Sequence, residues 1–93
     1  MNKAELIDKV TESVDGTTKK QADQVLTAIL EQITKAVAEG NKVTLVGFGA
    51  FEARDRQARQ GRNPKTGEDI TIPATRVPAF SAGKQFKDSV KVN

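Results

Sequence analysis

Apolar residues recur at helical spacing through the first part of the chain. Leu6, Ile7, Val10 and Val14 form one stripe, and Ala22, Val25, Leu26, Ile29, Ile33 and Val37 form a second. Asn2-x-x-Glu5 and Thr18-x-x-Gln21 resemble capping boxes at the two starts, while Gly16 and Gly40 mark the two stops. A connection this short predicts a pair of antiparallel helices over residues 1–40. After Gly40 the period changes to two: Val43 and Leu45 alternate with Lys42 and Thr44, a strand pattern. Gly47-Phe48-Gly49 reads as a turn, and Ala50 to Ala53 begin a second strand. From Arg54 the pattern stops, with no side chain larger and more apolar than alanine before Ile70 apart from the proline ring of Pro64. Asn63-Pro64-Lys65-Thr66-Gly67 is dense in turn residues, Pro73 marks an edge or a bulge, and Val77 brings the chain back. Ser81 is placed to cap a final short helix carrying Phe86 and Val90 on one face.

The expected fold is α+β with order ααβββα, as one domain over residues 1–93. It comprises a two-helix hairpin (1–40), a three-stranded antiparallel sheet whose body spans 41–53 and 74–80, a long protruding β-ribbon arm (54–73), and a short C-terminal helix (81–93). Without the arm, the body of this 93-residue chain is about 70 residues, a size at which only ~60% of the unfolded surface is buried. Oligomerisation is an attractive way to complete such a core.

Composition narrows the chemistry. The chain has no cysteine and no histidine, so it offers no disulfide, no thiol nucleophile, neither of the commonest zinc ligands and no near-neutral proton shuttle. Glu68-Asp69 is an isolated acidic pair on a turn, too little for a metal-dependent hydrolase. An enzyme, a metal site, a cofactor and a small-molecule substrate are therefore not expected. Met1 to Glu5 open without the apolar region of a secretory signal, and no stretch approaches the ~20 apolar residues of a membrane span. A soluble, cytoplasmic protein is the expectation.

The charge is concentrated in the arm. Between Ala53 and Gly67 lie five cations (Arg54, Arg56, Arg59, Arg62, Lys65) and one anion (Asp55), a balance of +4 in a chain whose total is +3. A polyanion explains a cationic ribbon with nothing to bury better than folding does, although a solvated loop serving solubility is the plain alternative. About eight residues a side would extend ~26 Å, long enough to follow a DNA groove. Arg54 and Arg56 share a strand face; Arg59 and Arg62 break that parity, so a bulge near Gln57 to Gln60 or strong twist would be needed to realign them. The planar arginine fork suits phosphates and the narrow, electronegative minor groove. Pro64 is either ordinary turn chemistry or a rigid wedge, and Asn63 beside it offers an amide to groove-edge acceptors. Lys84 falls in the first turn of the last helix, where a cation opposes the macrodipole unless a phosphate binds there; an exposed lysine of small cost is the alternative, and Lys3 poses the same question. Arg76 on the returning strand and Lys87 complete the set of candidate DNA contacts.

Gly47-Phe48-x-x-Phe51-x4-Arg56-x2-Arg59-x-Gly61-Arg62-Asn63-Pro64-Lys65-Thr66 resembles the signature of the bacterial HU and integration host factor DNA-bending proteins. The similarity continues through Val43 to Gly49 and Val77 to Lys84 and covers essentially the whole chain. It implies an intertwined homodimer on double-stranded DNA, two arms in the minor groove and each Pro64 intercalating; this family is itself a standing example of minor-groove architectural proteins. It also implies that Phe48, Phe51 and Phe80 pack near the dimer axis, and that the protein is nucleoid-associated. Val77 to Lys84 look more like HU than like the site-specific integration host factor. A basic structural protein acting through protein contacts would need an apolar patch on the arm. RNA is a possible partner, but the arm lacks aromatic rings for base stacking. The match departs at Thr17, which stands before the cap Thr18 where such proteins usually have an aliphatic residue and is a poor hydrophobic staple.

Overall fold

The structure is a computed structural model and describes residues 1–92. The chain divides into two compact units, Met1–Lys35 and Ala36–Asn93. In the first, α1 (Lys3–Ser13) begins at Asn2, whose side-chain oxygen accepts the Glu5 N–H at 2.9 Å. It ends earlier than Gly16: Val14 turns to extended backbone at φ −121°, and Gly16 at φ 81° serves the reversal instead. The start of α2 (Lys19–Ala38) carries a complete capping box. Gln21 N–H donates to Thr18 Oγ1 at 3.1 Å, and Thr18 N–H donates to Gln21 Oε1 at 3.0 Å. Two side chains thus secure the helix start although Thr17 supplies no aliphatic staple. Ile7 and Ala22 are the buried side chains between the two stripes. Val10, Val14, Val25 and Ile29 stay substantially exposed along a groove of about 510 Å³.

α2 ends as its sequence predicts. Gly40 N–H reaches the Val37 carbonyl at 3.0 Å and Asn41 N–H the Ala36 carbonyl at 2.9 Å, with Gly40 at φ 90°. This is the paired-bond stop that only a residue tolerant of left-handed backbone accommodates well.

The second unit holds an antiparallel sheet of order β1-β2-β5, with β1 at Val43–Leu45, β2 at Gly49–Arg56 and β5 at Thr75–Ala82. Phe48 N–H closes the β1–β2 turn on the Leu45 carbonyl at 2.9 Å. Phe51 faces Phe80 across the β2–β5 ladder with ring centroids 4.8 Å apart, and Phe80 also lies 5.4 Å from Phe48 and 6.1 Å from Phe86. All four aromatic residues of the chain therefore gather around Phe80. Gly49 makes this possible: a Cβ there would stand 2.6 Å from Phe80 ring atoms and from the Ser81 carbonyl oxygen.

The C-terminal region departs from the sequence expectation. Ser81 does not cap the last helix; it belongs to β5, which runs two residues past the expected end, and α3 spans Lys84–Val90 behind Gly83 as its N-cap. The cause is local packing. Gly83 N–H donates to the Phe48 carbonyl at 2.8 Å, which keeps the chain extended until Gly83, and a Cβ at Gly83 would press to 3.3 Å on that same carbonyl. Phe86 joins the aromatic group, while its expected companion Val90 is 65% exposed.

Candidate nucleic-acid interface

The arm is two ladders in series. The β2–β5 ladder continues to the pair Arg56–Thr75, and a separate two-stranded sheet follows, β3 (Arg59–Arg62) against β4 (Asp69–Ile72). The first distal pair is Arg59–Ile72, three positions onward along each strand, so neither side gains a residue at the break. The bulge considered for Gln57 to Gln60 is therefore not formed. Pro73 interrupts the ladder by lacking an N–H, and pairing resumes in the same register. Arg59 and Arg62, an odd number apart in one strand, consequently lie on opposite faces of the distal ribbon. Each face carries a cation.

Ile70 and Ile72 sit on the Arg59 face, Ile70 paired with Gly61 and Ile72 with Arg59 on the facing strand. A Cβ on Gly61 would come to 3.2 Å from Ile72 Cδ1, so this glycine lets the two isoleucines cover the strand opposite.

Charge along the arm is unevenly engaged. Arg76 donates to Asp55 at 3.0 Å, its ladder partner, and Arg54 contacts Glu52 at 3.2 Å and donates to Ser81 Oγ at 3.0 Å. Arg62 faces Asp69 at a loose 4.0 Å. Among the described residues, Arg56, Arg59 and Lys65 have no acidic partner, nor do Lys84 and Lys87 on α3. In the helical unit, Lys3 contacts Asp23 at 3.3 Å and donates to Thr27 Oγ1 at 3.0 Å. These pairs are exposed apart from the half-buried Glu52, and exposed pairs are worth about 0–1 kcal/mol, so a phosphate can replace the acid at small cost.

The tip is organised by Asn63. Its N–H donates to the Glu68 carbonyl at 2.8 Å, its carbonyl accepts from Gly67 N–H at 2.7 Å, and its Oδ1 accepts from Lys65 N–H at 2.9 Å. Thr66 Oγ1 accepts from Glu68 N–H at 3.3 Å, and Gly67 takes φ 74°. Pro64 stands exposed within this closed turn. Asn63 thus keeps only its Nδ2 donor for a groove-edge acceptor.

The structure therefore gathers Arg54, Arg56, Arg59, Arg62, Asn63, Pro64, Lys65 and Arg76 along one arm. Lys84 and Lys87 stand on α3 of the same unit, and Lys3 belongs to the helical unit. Sequence reasoning missed the acids that hold the arm base. Glu52 could have been found from its i, i+2 spacing to Arg54 on one strand face, whereas the Asp55–Arg76 pair needs the ladder register.

A small α+β body with a cationic two-stranded arm defines a class of architectural DNA-binding fold. The chain belongs to the bacterial DNA-binding protein family, whose description is "Bacterial DNA-binding protein" and whose match covers residues 1–91. It is 67% identical over 90 residues to the DNA-binding protein HU of Nostoc sp., covering 97% of this chain and 95% of that protein. It is 58% identical over 95 residues to the DNA-binding protein HU of Synechocystis sp., again covering 97% and 95%. Among solved structures it is similar to Anabaena HU in a cocrystal with DNA, with a TM-score of 0.88, 67% identity and 97% of each chain covered. Among the described residues, no helix is long and apolar enough to cross a membrane.

Proposed function

We propose that this chain is an HU-like architectural protein that binds double-stranded DNA with little sequence preference and bends it, as a homodimer. The observation that carries this reading is the arm itself: unpaired Arg56, Arg59 and Lys65 on a ribbon with cations on both faces, ending in an exposed, braced Pro64. A ribbon charged on both faces suits a groove with a phosphate wall on either side. Arg54, Arg56, Arg59, Arg62, Lys65 and Arg76 neutralise those phosphates, Asn63 holds the tip turn, and Pro64 enters a base step. Lys3, Lys84 and Lys87 take the flanking DNA that the bend brings back toward the protein. The wedge costs a few kcal/mol of unstacking per step, offset by the contacts a bent duplex gains.

The dimer follows from uncovered apolar surface. Phe48 is 45% exposed and Phe80 41%, although Phe80 is the centre of the aromatic group. Complete burial of such a ring is worth about 1.5–3 kcal/mol, which a second copy recovers by seating its own aromatic residues against Phe48, Phe51 and Phe80. The function needs no catalysis and no cofactor, and a DNA-packaging role places the protein in the bacterial cytoplasm on the nucleoid.

The test is Pro64→Ala, which removes the rigid ring and leaves every arm cation. Gel shifts on linear, nicked and pre-bent duplexes, with RNA as competitor, should show affinity for pre-bent DNA nearly retained. Energy transfer between the ends of a labelled linear duplex should fall. Undiminished bending would make Pro64 a turn former only, and RNA outcompeting duplex DNA would overturn the choice of partner.

A further inference from the structure

Asn63 is the only residue of the arm that makes three hydrogen bonds inside the tip turn, among them the one its Oδ1 accepts from Lys65 N–H beside Pro64. We infer that Asn63 is a positioning residue for the wedge, acting through Oδ1 rather than through contact with DNA. This rests on the proposed bending function and names what makes the proline effective.

The residues between Asn63 and Gly67 are Pro64, Lys65 and Thr66. Proline has no N–H, so the tip has few backbone donors with which to hold its own shape. The Asn63 main chain closes the turn at both ends, through Glu68 and Gly67. That closure fixes where the loop starts and finishes, but not the direction of the peptide that follows Pro64. The bond that fixes it is Lys65 N–H to Asn63 Oδ1 at 2.9 Å, an Asx turn in which the side-chain carbonyl mimics a backbone turn across the proline. Thr66 Oγ1 does the same one step on, at the looser distance of 3.3 Å to Glu68 N–H. Proline fixes one backbone angle, the Asx bond fixes its neighbour, and the ring is displayed in one orientation before any DNA arrives. A wedge that must be ordered during insertion loses conformational entropy on top of the unstacking cost, and ordering it beforehand removes that addition.

Three variants separate positioning from contact. Asn63→Ala removes both the acceptor and the amide donor. Asn63→Ser restores an acceptor of the weaker hydroxyl type, and Asn63→Asp restores a full Asx acceptor; neither has an amide N–H to offer a base edge. All three lie outside the sheet and the aromatic group, so unchanged circular dichroism and melting confirm an intact body. The readout is end-to-end energy transfer in a labelled linear duplex at saturating protein, alongside affinity for a pre-bent duplex. Loss of one neutral hydrogen bond corresponds to roughly a fivefold drop in the bent-to-straight ratio for Asn63→Ala. Asn63→Ser should recover part of that loss and Asn63→Asp nearly all of it, despite the weaker affinity that its added negative charge brings. Affinity of Asn63→Ala for pre-bent DNA should stay close to that of the parent. If Asn63→Ser and Asn63→Asp bend DNA no better than Asn63→Ala, the amide N–H acts on DNA directly and the positioning role is wrong. Full bending by Asn63→Ala would overturn it as well. A parent protein that does not bend DNA at all would instead refute the bending function on which the inference rests, so the two failures are told apart.

Discussion

Affinity for DNA should fall with salt along a line whose slope can be worked from the ion pairs. Each phosphate neutralised on duplex DNA contributes about −0.9 to the slope of log K against log salt. Among the described residues Arg56, Arg59 and Lys65 have no acidic partner, three cations per arm and six in the proposed dimer. These alone give a slope of about −5, and adding Lys84 and Lys87 from each chain brings it to about −9. Arg76 is different, since Asp55 already holds it at 3.0 Å and the two charges cancel locally. Two substitutions should therefore move the slope in opposite directions. Arg56→Ala removes one free cation from each arm and makes the slope shallower by about 1.8. Asp55→Asn releases Arg76 in each arm and makes it steeper, by up to about the same amount. Fluorescence anisotropy of a labelled duplex across a series of salt concentrations measures all three slopes. A parent slope shallower than about −2 would refute phosphate wrapping by the arms. A slope unchanged or shallower in Asp55→Asn would show that the ion pair does not hold Arg76 away from phosphate.

Two further outcomes concern the body. If a second copy completes the aromatic group as proposed, the melting temperature rises with protein concentration, and calorimetry over a hundredfold range checks this; a concentration-independent melt with a monomeric sedimentation mass would contradict the dimer. Gly49→Ala should destabilise the fold by about 1–3 kcal/mol, because its Cβ would meet Phe80 and the backbone oxygen of Ser81 at 2.6 Å, and only the ring can yield. At about 4–8 °C per kcal/mol for a domain of this size, thermal unfolding should resolve it, and a shift under 2 °C would mean that the strand relaxes freely.

The helices were legible because their signals are local. The Thr18–Gln21 box and the Gly40 stop each act within a few residues, and both formed as their sequence patterns require. The strands and the cationic ribbon were legible for the same reason, from a change of period and from the lack of anything to bury. What escaped depends on partners distant in sequence. Ser81 has the right chemistry to cap a helix, but Gly83 is bonded to Phe48, so the strand wins and the helix starts later. The break at Pro73 could be placed from its missing N–H, yet whether it carried an extra residue depended on the register of both strands. The pairing of Arg76 with Asp55 depends on that register too. Phe48, Phe51 and Phe80 could be marked as core from their type alone, whereas their gathering around one ring with Phe86 comes from the β2–β5 pairing and the placement of α3.

The arm's composition meets two demands at once. A two-stranded ribbon has no interior strand, so both of its edges carry unpaired N–H and C=O groups that invite pairing with other chains. A long, flat, apolar ribbon would aggregate. Here the distal ladder is only four pairs long, Pro73 separates it from the body ladder, and Arg59, Arg62 and Lys65 place like charges where a second arm would have to dock. Those same cations supply phosphate affinity, and the same shortness leaves the tip to be braced by Asn63 rather than by a continuous sheet. Ile70 and Ile72 are the one concession to packing, and they lie over Gly61 on a single face instead of running along an edge. Replacing the arm's arginines with neutral polar residues would therefore remove two properties together, the attraction to DNA and the repulsion between arms.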